Sequence, residues 1–390
     1  MVKKVETAPQ KKLLGRMSSN VAFGLVGTPN VGKSTIFNIL TDSNSKEANF
    51  CFATIDPHLA QCDVPDSRFD WLVEKFKPTS AVKAHLNVYD IAGLVRGAAE
   101  GAGLGNAFLS HIRAVDGIFH LVRAFDDLTV PTHEGGEVDP VRDLDMITDE
   151  LIKKDLEMVT KHLEKLSRLV RASKDLREEY DFFARIKAML EEGDQIRFAD
   201  YEPKEIDWLN EFQLLTAKPV IYLINLSEDD YVRKKSKYLP KVAQWIQAHG
   251  NEPAIPFSAQ YEKTLHSMDP ESREAYIREN KAPSVLNKII HSGYKTLNLC
   301  HFFTAGEKEV KAWTFRKGMT TRQCAGRIHS DMENYFICAS VMKFEDLKEY
   351  ETEAAVKSAG KLMMMGKESY LDDGDICLFK FNASKSKNKK

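Results

Sequence analysis

The chain has 390 residues, 43% of them hydrophobic and 29% charged, with a formal net charge of -2, which fits soluble globular protein of two or three domains and argues against a chain that coats a polyanion. No apolar run is long enough to span a membrane, and the basic, polar N-terminus lacks a signal-peptide core. Six scattered cysteines (Cys51, Cys62, Cys300, Cys324, Cys338, Cys377) without a CxxC pair read as reduced thiols, which excludes a disulfide framework or a zinc site.

In chain order, residues 1–20 carry Lys3, Lys4, Lys11, Lys12 and Arg16 among small polar residues and are expected to form a solvated basic arm. The apolar run Val21–Val26 reads as a buried strand, and Thr35–Leu40 can continue as a helix. Between them lies Gly27-Thr28-Pro29-Asn30-Val31-Gly32-Lys33-Ser34, a GxxxxGK[ST] phosphate loop in the strand–loop–helix context the motif requires. Its glycines let backbone N–H groups turn inward around a phosphate. Lys33 supplies a mobile positive charge, and Ser34 offers a hydroxyl to Mg²⁺. These residues imply a nucleoside triphosphate ligand.

The segment 46–57 follows, where Thr54 is the candidate to close over Mg²⁺ and the γ-phosphate. Ala84–Tyr89 alternates as a strand and delivers Asp90-Ile91-Ala92-Gly93, a DxxG box about sixty residues after the phosphate loop. There Asp90 can hold the metal through water, and the Gly93 N–H can meet the γ-phosphate. Leu94 stands where Ras-type enzymes place a water-orienting Gln, a task an apolar side chain cannot perform. Gly97, Gly101, Gly103 and Gly105 make a switch-like segment. Gly117–Phe125 is another buried strand, with His120 read as a packed core histidine. The loop leaving it holds His133 on the expected ligand face. A loop histidine is ordinarily just solvated, but His133 is the candidate to position water in place of the absent Gln.

From Asp139 to about Glu192 the texture becomes charged and Leu-rich. Ile152, Leu156, Val159, Leu163, Leu166 and Val170 form a coiled-coil-like seam, and Phe182, Ile186 and Met189 stripe a second helix after a break at 171–174. An antiparallel helical arm inserted into a nucleotide domain is expected. The strand Pro219–Ile224 then runs into Asn225-Leu226-Ser227-Glu228, where GTPases carry NKxD. An Asp there accepts from guanine N1–H and the 2-amino group, whereas adenine offers an acceptor at N1 and a donor at its 6-amino group. The longer Glu228 carboxylate and the apolar Leu226 therefore relax or invert guanine preference. Ala254–Ala259 brings the final strand and, at Ser258-Ala259, a base-side turn. Beyond about Thr304 a separate unit reads as strands Val310–Phe315, Tyr335–Val341 and Ile376–Phe381, a helix Thr321–Ile328, and a basic tail.

The boxes together resemble the Obg-like ATPase (YchF) family of translation-factor-related P-loop proteins along nearly the whole chain. The resemblance rests on GTPNVGKST at 27–35, NFCFATIDP at 49–57, DIAGLVRGAAEGAGLGNAFLSHI at 90–112 and NLSE at 225–228. It also covers the block at 302–332 with AWTFRKG, and DDGD at 372–375. It implies an α/β fold: a P-loop NTPase (Ras/Obg-like) domain with an inserted antiparallel helical coiled-coil arm and a C-terminal β-grasp TGS domain. The expected boundaries are 21–137 and 213–300 for the two parts of the nucleotide domain (an Obg-type G domain over 21–282), 138–212 for the arm and 302–385 for the TGS domain.

Carried over by position, Asn30, Val31, Gly32, Lys33, Ser34 and Thr35 hold the phosphates, together with Gly93. Ser34 and Thr54 face Mg²⁺, and Leu226 contributes its backbone to adenine recognition beside Asn225, Glu228, Ser258 and Ala259. Lys33 and His133 are the catalytic candidates. Cys51 and Ala53 depart from the family's usual NFPFCTIDP. Asn30 resembles the position that helps bind K⁺ in some relatives, and a K⁺ requirement is left open. The resemblance implies hydrolysis of ATP in preference to GTP and association with ribosomes, through the large subunit or rRNA by way of the TGS domain and arm. A cytoplasmic monomer without a membrane partner is expected, with nuclear or nucleolar presence left open. The rival readings are a ribosome-binding regulatory module with incidental hydrolysis and a plain Obg-type GTPase.

Overall fold

Three strands that are buried along their whole length lie at the centre of the molecule: β1 (Ala22–Val26), β5 (Gly117–Ala124) and β6 (Val220–Leu226). Unbroken apolar runs of this kind suit parallel strands covered on both faces. The computed structural model describes residues 14–15, 21–42, 59–91, 110–127, 129–132, 137–170 and 174–382. Around the three strands the first sheet runs β2-β4-β1-β5-β6-β7, with β2 (Leu59–Asp63), β4 (His85–Asp90) and β7 (Ala254–Phe257). All neighbours are parallel except the β2–β4 pair. The edge strand β2 alternates exposed and buried residues, as a strand with one covered face does.

The carboxyl ends of β1, β4, β5, β6 and β7 deliver the phosphate loop, Asp90, the 125–132 loop, Asn225-Leu226 and Ser258 to one edge. In an open α/β sheet that edge is where ligands bind. The helix α1 (Lys33–Asp42) leaves the phosphate loop with no acidic residue in its first turn, so its unpaired amides face the site without a competing anion.

The inserted segment begins with a helix of 30 residues, α3 (Pro140–Leu169), after α1 and α2 (Ser67–Phe76). Asp139 caps α3 by accepting from Val141 N–H and Arg142 N–H at 3.1 and 3.2 Å, and Pro140 opens its first turn. One helix serves two cores. Leu144, Met146, Ile147 and Leu151 pack on the nucleotide sheet. Ile152, Val159, Leu163 and Leu166 pack on Phe182, Phe183, Ile186 and Leu190 of α4 (Lys174–Glu191) and on Leu209 of the helix Pro203–Phe212. The expected seam is thus the core of the insertion, and a third helix shares it.

The second sheet runs β11-β10-β12-β8-β9-β3. Its strands β8 (Leu299–Ala305) and β9 (Glu309–Arg316) are an antiparallel pair, and β12 (Ile376–Phe381) joins β8 in parallel. The strands β10 (Phe336–Met342) and β11 (Met363–Met365) complete one side. Strand β8 starts at Leu299, directly after the helix Leu286–Thr296. The other edge is taken by β3 (Ser80–Val82), which belongs by chain order to the nucleotide domain yet pairs in parallel with β9. An Asp66–Arg68–His301–Asp373 cluster fastens the same joint. Arg68 pairs with Asp66 and Asp373, each at 2.7 Å, and the His301 ring meets Asp66 Oδ2 at 2.7 Å.

Two residues of the expected basic arm are docked rather than solvated. Gly15 N–H donates to Asn210 Oδ1 at 2.6 Å, and the buried Arg316 guanidinium donates to the Leu14 and Gly15 carbonyls. The remaining residues of 1–20 lie outside the described residues.

Asp155 fastens the insertion to the nucleotide domain. The carboxylate is fully buried and accepts from Leu215 N–H, Thr216 N–H and the Thr216 hydroxyl at 2.8, 2.8 and 2.6 Å. Asp155→Ala strands these donors and is expected to cost about 2–4 kcal/mol. Chemical denaturation of the purified variant checks this, and an unchanged midpoint would contradict it.

Candidate functional site

The phosphate loop holds its shape through residues that tolerate left-handed backbone. Asn30 has φ 62° and Gly32 has φ 99°. A Cβ on Gly32 would come within 2.6 Å of Asn225 Nδ2, so both conformation and space call for glycine there. Val31 is buried in the core, Ser34 is exposed at the mouth of α1, and Thr35 is half-buried behind it.

Lys33 lies on its own loop. Its ammonium donates to the Gly27 and Thr28 carbonyls at 3.1 and 2.8 Å, curled back over the loop. Burial pulls its pKa down to about 8, and the nearby Asp90 carboxylate at the end of β4 offsets part of that shift. His120, one strand over, is pushed down to about 3 by burial, with Arg197 and Lys33 adding to the effect, so it is a neutral core histidine as expected.

Asn225 joins the two halves of the site. Its Nδ2 donates to Val31 O in the phosphate loop at 2.9 Å, and its Oδ1 accepts from Ala259 N–H at 2.9 Å. Ser258, fully buried, caps the helix Ala259–Ser267 by accepting from Tyr261 N–H at 3.3 Å. The Ser258-Ala259 turn therefore uses these groups within the protein, and both residues are buried. The Leu226 side chain is buried in the sheet core, so only its backbone faces the edge of the sheet. Glu228 opens the next short helix, and its Oε1 accepts from the Tyr276 hydroxyl at 2.8 Å.

Asn30 Nδ2 donates to Pro131 O at 3.2 Å. That loop is organised by Arg123, a buried cation in an otherwise apolar strand, whose guanidinium donates to the carbonyls of Pro131, Asp127 and Val130 at 3.2, 3.2 and 3.0 Å. A charged residue inside so apolar a run is the signal by which sequence reading could have found it. On the other side, the Thr28 hydroxyl donates to Asp143 in the first turn of α3 at 3.2 Å. Tyr276, Arg123 and Asp143 were not singled out from the sequence. Thr54, Gly93, Leu94 and His133 lie outside the described residues, as do Cys51 and Ala53. Among the described residues no group of three or more His, Cys, Asp or Glu side chains is placed to hold a metal ion, and no helix is long and apolar enough to cross a membrane.

Two family models match the chain: a 50S ribosome-binding GTPase model over residues 22–164, and a YchF-GTPase C-terminal model, described as a protein of unknown function, over 299–382. The Obg-like ATPase 1 of Oryza sativa subsp. japonica is 53% identical over 384 residues, covering 98% of this chain and 97% of the relative. That of Homo sapiens is 49% identical over 383 residues, covering 97% and 96%. The solved structure of the Schizosaccharomyces pombe YchF GTPase superposes with a TM-score of 0.87 at 46% identity, covering 95% of this chain and all of that one.

Two outcomes follow from this geometry. Asn225→Ala leaves the buried Val31 carbonyl and Ala259 N–H without their partner, and should cost about 1–3 kcal/mol of stability and weaken nucleotide binding about 10–100-fold; thermal melts and titration calorimetry read both, and wild-type values would contradict it. For Lys33, the folded ammonium titrates below its unfolded value, so it is charged at pH 7 and mostly neutral at pH 9. A bound triphosphate favours the charged form, so binding takes up nearly one more proton at pH 9 than at pH 7. Calorimetry in two buffers of different ionisation enthalpy measures the uptake, and equal uptake at both pH values would contradict it.

Proposed function

The chain belongs to the Obg-like ATPase (YchF) family, and we propose that it is a Mg²⁺-dependent ATPase, with GTP the weaker substrate, that works as a slow nucleotide switch on the ribosome. The observation that carries the base assignment is the 225–228 turn, where GTPases place the Lys and Asp that read guanine. Here the Leu226 side chain is buried in the core and Glu228 is drawn toward Tyr276. That leaves backbone groups and a displaced carboxylate on the base side. A site that does not offer two aligned acceptors to guanine N1–H and its 2-amino group loses the discrimination those contacts supply.

The donor set fits a small hard cation. Ser34 is exposed in the first turn of α1 and Asp90 ends β4 beside Lys33, both oxygen donors. With Thr54, and with Asp90 acting through water, Ser34 would hold Mg²⁺, which when bound would neutralise phosphate charge. The chain's own residues do the rest. Backbone N–H groups over 30–35 and the first turn of α1, with Gly93, take up phosphate charge. Lys33 exchanges the Gly27 and Thr28 carbonyls for phosphate oxygens. Water then attacks the γ-phosphorus in line as the bond to the ADP oxygen breaks. Leu94 cannot orient that water, which makes turnover slow without a partner. His133 is the candidate to do so.

The ribosomal role assigns the C-terminal unit, as a TGS domain, and the helical arm to large-subunit or rRNA contacts. It also assigns the protein to the cytoplasm as a monomer, and leaves K⁺ at Asn30 as an additional requirement to test. The Thr28–Asp143 hydrogen bond, which ties the phosphate loop to the first turn of the arm, favours a second reading. On that reading nucleotide state sets the pose of the arm on the ribosome and hydrolysis is incidental.

Steady-state hydrolysis of ATP and GTP by the purified protein with Mg²⁺ tests the first reading. It predicts kcat/KM for ATP at least about tenfold above that for GTP, and the Lys33→Ala variant at least about 10²-fold slower. Equal rates or a GTP preference would overturn the assignment.

A further inference from the structure

The helix Pro270–Asn280 has no fully buried residue, so burial of its own face explains little of its position. It is held through Arg273, whose guanidinium donates to the Leu265 and Met268 carbonyls at 2.8 and 3.2 Å, and through Tyr276 and Ile277, which pack against a small core of Tyr261, Leu265 and Ala282. In that core Tyr276 stacks on Tyr261 with ring centroids 5.7 Å apart and planes 29° apart. Tyr261 is fully buried, and its hydroxyl donates to Ala282 O at 2.6 Å. Tyr231 also contacts Tyr261, with centroids 5.2 Å apart and planes tilted by 47°, and its hydroxyl donates to Pro283 O at 2.7 Å. Tyr261 thus contacts both other rings, one stacked and one tilted, and the Tyr276 hydroxyl donates to Glu228 Oε1 at 2.8 Å.

We propose that Tyr276 is a positioning residue that sets purine selectivity by fixing the Glu228 carboxylate. Each carboxylate oxygen carries two lone pairs, so the hydroxyl does not exhaust Oε1. It fixes the plane and direction of the group instead. Guanine presents two parallel donors, N1–H and the 2-amino group, and a fork-like match needs both oxygens turned to the base. A carboxylate whose direction is set by Tyr276 rather than by the base turns one oxygen to it as a single acceptor, which suits the lone 6-amino donor of adenine. Tyr276, stacked on Tyr261, thus works against guanine through Glu228. The proposal rests on the ATP reading above and deepens it, since it names what holds the base-side acceptor in place.

Tyr276→Phe keeps the ring and its stacking and removes only the hydroxyl. Dissociation constants and kcat/KM for ATP and GTP are measured for wild type, Tyr276→Phe, Glu228→Ala and the double variant, with thermal melts as a check on folding. The expected result is an unchanged melt and a fall of at least about fivefold in the ATP-over-GTP ratio. The change should sit in the dissociation constants and KM, with kcat for ATP within about twofold of wild type. In the Glu228→Ala background Tyr276→Phe should change nothing further. If the wild type shows no preference for ATP, the underlying reading fails. If the wild type prefers ATP and Tyr276→Phe keeps the same ratio, or shifts it equally without Glu228, the role of Tyr276 fails on its own.

Discussion

The Asn225 carboxamide spans the two halves of the site, its nitrogen on Val31 O and its oxygen on Ala259 N–H, both at 2.9 Å. The phosphate loop and the base-side turn come from strands at different positions in the sheet, β1 and β7, and β6 between them carries the bridge. Because both partners are buried backbone groups, their satisfaction does not depend on ligand. The glycine at 32 follows from the same constraint: anything larger would displace the amide that closes the bridge. The phosphate loop and the Ser258-Ala259 turn are thus fixed to one another by groups of the protein itself.

From this unit two physical connections lead outward. One runs from Thr28 to Asp143 and along α3, which is shared between the nucleotide core and the core of the insertion, so a shift at its first turn bears on a rigid element of 30 residues. The other runs through the segment from α2 to β4. Strand β3 is built into the C-terminal sheet while β4, which follows after Lys83 and Ala84, ends at Asp90 beside Lys33. The Asp66–Arg68–His301–Asp373 cluster locks the same joint. Both the arm and the C-terminal unit are therefore attached to the phosphate loop and to Asp90 beside it.

Much of the fold was legible in the sequence because its signals are local. The apolar runs that became β1, β5 and β6, the seam of α3, and the phosphate loop each declare themselves within a short window. What was not legible depends on contacts between distant residues. Three residues at 80–82 carry no pattern that assigns them to another domain's sheet. Tyr276 lies 48 positions from Glu228, and Thr28 lies 115 from Asp143, so neither pair leaves a spacing signature. The hydrogen-bond partners of Lys33 were not legible for a similar reason. Its partners are carbonyls of its own loop, and their direction is set by the turn rather than by residue type. Leu226 was recognised as the replacement for a lysine, but only the fold turns its side chain into the core.

The most direct test of this account is the structure of the protein crystallised with Mg²⁺ and a non-hydrolysable ATP analogue. It should keep both Asn225 hydrogen bonds, place Lys33 on phosphate oxygens instead of the Gly27 and Thr28 carbonyls, and seat adenine between the 225–228 turn and Ser258-Ala259. One Glu228 oxygen should remain on Tyr276. A purine bound elsewhere, or a phosphate loop that closes only after the Asn225 bridge has broken, would contradict it.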